Sequence, residues 1–358
     1  MKTRILSLML TLCLIFAVSA VFSACNGGND PTDTTVTDAP SSGTAADGTV
    51  AETKPDETVK TDVKVMVLNG TTGFGIAPLM DQNAKGEAAN NYTFSVETDA
   101  SNITAALING SVDMAALPTN AAATLNAKKP GAVQVVAVNT LGVLYLMSSQ
   151  AETITSMEDL RGKTVYCPAQ NPSFIFSYLC KENGLVPGTD VTIDTTSYAQ
   201  PADLRTALAA GQVDIAVLPE PMVTIAKSAN EGLSVDLDLT AEWDKCTTPG
   251  SLAQGCIVVR TAFAQEHPEA VTAFLTEYEA SINFVKENPS EAGAMIEAQG
   301  VFAKGAVAAK AIPNCNICYL VGEDMKAMLT QFYTVLHSVA PASVGNAVPG
   351  DDLYYIAQ

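Results

Sequence analysis

Residues 207–219 read ALAAGQVDIAVLP, and residues 106–118 read ALINGSVDMAALP. The two stretches lie 101 residues apart, and eight of their thirteen positions are identical, in the frame A-L-x-x-G-x-V-D-x-A-x-L-P. Each copy reads as one local unit. Ala-Leu closes the apolar face of a helix, and Gly110 or Gly211 takes the left-handed conformation that ends it. Val-Asp-x-Ala-x-Leu is then a short buried strand, terminated by proline. A helix-to-strand unit built twice predicts two similar halves. Asp113 and Asp214 stand at the strand entrances, where they are expected to bond nearby backbone N–H groups rather than to act in catalysis.

The flanking pattern extends this reading. Residues 63–68 alternate with Lys64 and then turn fully apolar, as a strand does. A Gly/Thr turn comes next at 69–75, and Pro78 suits the first turn of a helix. YTFSVET (92–98) reads as a strand, and 133–149 as two strands around a turn at 140–142. Ser156 and Asp159 form an N-cap-like pair. KTVYC (163–167) is a strand, PAQNPS a polar loop and 173–181 a helix. A strand at 191–198 and a helix at 203–210 lead into the second copy, and GCIVVR (255–260) is a further strand. Beyond it the pattern is helical. Val271, Phe274, Leu275, Tyr278, Ile282 and Val285 recur at three- and four-residue spacing on one face, the signature of a core-facing stripe. Strands alternating with helices predict an α/β fold with largely parallel sheets.

Composition narrows the function. The 358 residues allow two domains or one large one. Lys plus Arg number 19 against 38 Asp plus Glu, a net charge of −19, which argues against a nucleic-acid partner. The chain opens MKTRILSLMLTLCLIFAVSAVFSAC: a positive start, an apolar run over 5–22, and small residues before Cys25. This is the anatomy of a secretory leader, residues 1–24, with a lipoprotein-type cleavage point. It resembles the bacterial lipobox, although Phe22 stands where Leu is commoner. The expected chemistry is a thioether from Cys25 to diacylglycerol, whose two acyl chains give stable anchoring where one would not. Residues 26–61 are rich in Thr, Asp, Gly, Ser and Pro and almost free of bulky apolar side chains, so they are expected to be a disordered tether.

Six cysteines would remain after the leader and Cys25: Cys167, Cys180, Cys246, Cys256, Cys315 and Cys318. An exported chain permits disulfides, but sequence does not choose among their pairings. The CNIC at 315–318 could suggest zinc or redox chemistry. Zinc takes about four ligands, and His267 and His337 are the only histidines. No metal, cofactor or catalytic residue is expected, since no GxSxG, HExxH or P-loop frame occurs.

The ordered series lipobox, tether, LNGTTGFGIAP, ALINGSVDMAALP, ITSMEDLRGKTV, ALAAGQVDIAVLPEP and HPEAVTAFLTEY resembles the solute-binding proteins of ABC importers. The nearest branch is the nitrate/sulfonate/taurine and thiamine-pyrimidine (NMT1-like) group. The resemblance spans roughly residues 62–338. It implies the type II periplasmic-binding-protein fold, two α/β lobes joined by two crossing strands, with LYLMSS (144–149) and GCIVVR as the crossings. Lobe one would be 62–145 plus 251–358, and lobe two 146–250. It further implies a monomer, tethered by lipid on Cys25 to the outer face of the bacterial cytoplasmic membrane, that captures a small solute and delivers it to permease subunits. A ligand-sensing lipoprotein and a pyrimidine-synthase-like enzyme are the alternatives. That enzyme relies on histidine, and neither histidine here lies at a strand-end loop.

Ligands of open α/β sheets bind beyond the strand C-termini, and unpaired N–H groups at helix starts hold polar groups there. The strand-end loops supply the candidates. They are Asn69, Thr71, Thr72 and Phe74; Thr119 and Asn120; Thr140; Gln170, Asn171 and Ser173; and Glu220. None of these loops carries Arg or Lys. The expectation is therefore a neutral or amine-bearing ligand, including a heterocycle, over a dianion.

Overall fold

The structure, a computed structural model, describes residues 60–149 and 152–356. The leader, Cys25 and all but the last two tether residues lie outside the described residues. No helix among those described is long and apolar enough to cross a membrane.

The first four strands are β1 (Asp62–Leu68), β2 (Asn91–Glu97), β3 (Met114–Pro118) and β4 (Val133–Thr140). The next five are β5 (Leu144–Ser148), β6 (Thr164–Tyr166), β7 (Thr192–Asp194), β8 (Ile215–Pro219) and β9 (Ser234–Asp238). The last two are β10 (Gly255–Arg260) and β11 (Ile317–Leu320). Among the described residues they form two sheets, ordered β11-β4-β10-β3-β1-β2 and β7-β6-β8-β5-β9.

Leaving out the edge strand β11, the two orders are the same. β1 pairs in parallel with β2 and β3, as β6 does with β7 and β8. In each sheet one antiparallel strand, β10 or β5, is inserted next. The two repeat phrases end in β3 and β8, which hold the same position. Both strands are buried along their first four residues, as expected of short apolar runs covered on both faces.

The helix ends of the two copies also correspond. Ser111 N–H donates to Ala106 O at 3.0 Å, and Gln212 N–H to Ala207 O at 2.9 Å. Gly110 and Gly211 have φ of 76° and 69°, the left-handed region that only glycine enters without strain. The aspartates part company. Asp113 is buried, accepts Lys64 N–H at 3.0 Å and pairs with Arg260 Nη2 at 2.7 Å, joining β1, β3 and β10. Asp214 is exposed, and Ser149 Oγ is 3.4 Å away.

LYLMSS and GCIVVR are strands, but each pairs within a single sheet, β5 in the second and β10 in the first. The chain passes between the sheets just ahead of them, over 141–143 and 247–254. Each crossing therefore delivers the antiparallel strand that completes the sheet it enters.

The Pro268–Glu287 helix buries Val271, Phe274, Tyr278, Ile282 and Val285, with Leu275 half-buried. Trp243 is fully buried, its ring 5.2 Å from Tyr178 and 5.8 Å from Phe332, and its Nε1–H donates to Ser251 Oγ in the second crossing. Phe332 belongs to the Gly322–Val339 helix, so this helix shares a continuous apolar core with both sheets. All six expected mature cysteines are free thiols. Burial pushes the thiols of Cys167, Cys256 and Cys315 up, which keeps them protonated. Among the described residues no cluster of His, Cys, Asp and Glu is arranged to hold a metal.

Candidate functional site

A cavity of about 300 Å³ opens between the two sheets, where strands from both end. From the first sheet come Asn69, Thr71 and Thr72 after β1, Pro118 at the end of β3, and Thr140 at the end of β4. From the second come Asn171 and Pro172 after β6, and Pro219, Glu220 and Pro221 around the end of β8. The walls between are apolar, with Leu68, Val143, Met222 and Phe302. Such a volume suits a small organic solute.

The loop after β1 is drawn tight. Gly73 lies so close to the chain that an added Cβ would stand 2.5 Å from Leu68 O. Phe74 is not on the cavity. It is fully buried behind the loop, in edge-to-face contact with Phe302, which does line the cavity. Asn139, which the sequence does not single out, fixes this loop: its Nδ2 donates to Thr72 O and is 2.9 Å from the Tyr278 hydroxyl. Thr140 Oγ1 donates to Asn139 Oδ1 at 3.1 Å.

The two repeat prolines, Pro118 and Pro219, both line the cavity, and the residues after them diverge in role. Thr119 is fully buried and committed to the scaffold. Its Oγ1 donates to Ala253 O at 2.7 Å, its N–H to Gln254 O, and its own carbonyl accepts the Tyr333 hydroxyl. Asn120 is half-buried and does not line the cavity. Glu220, the counterpart of Thr119, does line it and is 3% exposed. Thr224 donates to its carboxylate twice, from the backbone N–H at 3.1 Å and from the hydroxyl at 2.9 Å. Burial raises the Glu220 carboxyl above the ordinary range, opposed by those two bonds and by the Asn314 side chain. Glu220 is the only charged residue among those lining the cavity.

The loop after β6 turns sharply at Gln170, whose φ is 67°. Gln170 is exposed, and Ser173 Oγ is spent on its carbonyl at 2.8 Å, so neither lines the cavity. Asn171 does line it, at the start of the Asn171–Glu182 helix. It is 8% exposed, and its Oδ1 has no hydrogen-bond partner. Gln254, in the second crossing, also lines the cavity. Its N–H donates to Thr140 O at 2.9 Å and its Oε1 accepts Val143 N–H at 2.7 Å, so one residue binds both crossings. No periodicity marks Gln254 or Phe302, and sequence reasoning misses both.

The lining is rich in prolines and holds no Lys, Arg or His. It offers hydroxyls, amides and one carboxylate over an apolar base. Such a surface can form hydrogen bonds with a small solute and bury its apolar part.

The chain matches the family described as "NMT1/THI5 like" over residues 92–292. No curated protein matches it. Among solved structures it is similar to an ABC transporter protein from Parabacteroides distasonis, with 24% identity, a TM-score of 0.71, and coverage of 84% of this chain and 100% of that one. The periplasmic aliphatic sulphonate-binding protein SsuA of Escherichia coli superposes with a TM-score of 0.63 at 16% identity, covering 78% of this chain and 94% of that one. The periplasmic nitrate-binding protein NrtA of Synechocystis does so with 0.58 at 12%, covering 80% and 84%. The two matched sheet orders, the paired crossings and these likenesses establish the type II periplasmic-binding-protein fold. With more than half of its length matched by the family, this chain belongs to the NMT1/THI5-like family.

Proposed function

We propose that the chain is the extracytoplasmic solute-binding component of an ABC importer. One observation carries this: the cavity is assembled from strand ends of both sheets, at the two crossings, so each half supplies part of one site. A solute touching both halves favours their closed arrangement by its differential affinity, and the crossings at 141–143 and 247–254 are the hinges. Lobe one comprises 62–145 with 251–358, and lobe two 146–250. Asn69, Thr71, Thr72, Thr140, Asn171, Glu220 and Gln254 contact the solute, while Phe74, Thr119, Asn120, Gln170 and Ser173 shape the loops behind them. The closed form presents a joint surface to permease subunits and acts as a monomer.

The leader ends at residue 24, and Cys25 carries the lipid that holds the chain on the outer face of the cytoplasmic membrane through its tether. The solute is a small polar or heterocyclic organic molecule, of the sulfonate, taurine or thiamine-pyrimidine kind, or nitrate. No covalent chemistry is involved. Titration calorimetry of the full chain against such compounds, with mass analysis of the recovered ligand, tests the proposal. Saturable binding of a compound recovered unchanged supports it, and recovery of a reaction product contradicts it.

A further inference from the structure

Two acceptors on residues that line the cavity lack the full set of donors that their burial calls for. The first is the Glu220 carboxylate, 3% exposed. An ionised carboxylate offers roughly four acceptor positions. The protein supplies three donors, the Thr224 N–H and hydroxyl and the Asn314 side chain, and no cation. None of the ion pairs among the described residues includes Glu220. A carboxylate taken out of water without a counter-cation is costly. The second is Asn171 Oδ1, in a side chain 8% exposed, with no partner at all. Buried amide oxygens are almost always satisfied, so an exception needs a reason. The two residues come from different strand ends, β8 and β6, and line the same cavity.

We infer that the cavity takes a small organic cation, a primary amine or an amidine on a compact apolar body, with Glu220 as its counter-ion and Asn171 Oδ1 accepting a second N–H. This rests on the reading of the cavity as a solute site. The ammonium or amidinium supplies both missing things at once: positive charge beside Glu220 and donors for two acceptors. Leu68, Val143, Met222 and Phe302 take the apolar body. A sulfonate or nitrate would meet Glu220 with no Lys or Arg to offset the repulsion.

Calorimetry and thermal shift on the full chain test this with a panel of arylmethylamines and amidines, each set against the matched sulfonate, and with nitrate. Amines or amidines bind, and their sulfonate counterparts do not. Glu220→Gln weakens the binding at least tenfold with a cooperative melt retained. Asn171→Asp, which keeps an acceptor and adds charge, holds or tightens it. Capture of a sulfonate or nitrate, amine binding unchanged in Glu220→Gln, or no binding by any cation in the panel overturns the inference. The first of these leaves the solute-site reading standing. Conversion of a bound amine to a product would sink the transport reading and leave cation recognition intact.

Discussion

Val143 donates its backbone N–H to the Gln254 side-chain oxygen at 2.7 Å, across 111 residues of chain. That bond joins the first crossing to the second. Gln254 also donates its N–H to Thr140 O and its carbonyl accepts Thr119 N–H, so the ends of β3 and β4 and both crossings are held by one residue. Both crossings are thereby fixed beside the cavity.

Gln254→Ala leaves the buried Val143 N–H without its partner, at a cost of about 1–3 kcal/mol. Urea denaturation should show a loss in that range. Gln254→Glu, which keeps the acceptor, should recover most of it. Stability unchanged in the alanine variant would mean that the crossings are held by other contacts.

The repeat aspartates should respond unequally. Asp113→Asn breaks the ion pair with Arg260 and weakens the tie between β3, β1 and β10, for a loss of about 2 kcal/mol. Asp214→Asn removes one long contact on an exposed side chain and should fall within about 0.5 kcal/mol of the parent. Equal losses would contradict the different roles assigned to them.

Glu220 sets a dependence on pH. Its carboxyl is raised by burial above the ordinary value, so the folded chain holds this proton more tightly than the unfolded one. The protein therefore loses stability as pH climbs from the ordinary carboxylate value through the raised one. Tyr145 and Cys315 are the titratable groups beside Glu220, and burial pushes both upward, so they stay neutral through this window. Melting temperatures across pH 4 to 8 should show Glu220→Gln gaining on the parent as pH rises. A constant difference would place the carboxylate in ordinary solvation.

Gly142 sits in the first crossing with no room for a side chain. An added Cβ would collide with Thr240 Oγ1 and stand 2.7 Å from the Leu252 side chain. Gly142→Ala should shift the crossing and destabilise by about 1–3 kcal/mol. The change should also appear in the emission of Trp243, whose indole is bonded to Ser251 in the other crossing. A variant with parental stability and emission would show that the first crossing is loosely packed.

The fold was legible because the phrase ending in Pro118 and Pro219 encodes a local unit, a glycine cap and then a buried strand, and such units keep their meaning without tertiary context. The loops at β1, β4, β6 and β8 were legible for the same reason: a strand end leading into a polar turn is a local pattern. The roles of the residues just past the repeat prolines were not legible. Thr119 and Glu220 hold equivalent positions, yet Thr119 turns to Ala253, 134 residues on, while Glu220 lines the cavity. Only the path of the second crossing decides between them. Gln254 and Phe302 reach the cavity from aperiodic stretches far along the chain, where nothing local announces them. The crossings themselves fell just ahead of the strands expected to make them, because pairing partners, not apolar content, determine where a strand joins its sheet.

Cation capture between the sheets is tested most directly by a crystal structure of the protein with the tightest-binding compound from the amine panel. Density is expected in the cavity between Thr140 and Glu220, with the ligand nitrogen within hydrogen-bond distance of the Glu220 carboxylate and the two sheets closed upon it. Density elsewhere, for instance in the hollow lined by Lys286, Asn316 and Cys318, with the cavity between the sheets left empty, would contradict it.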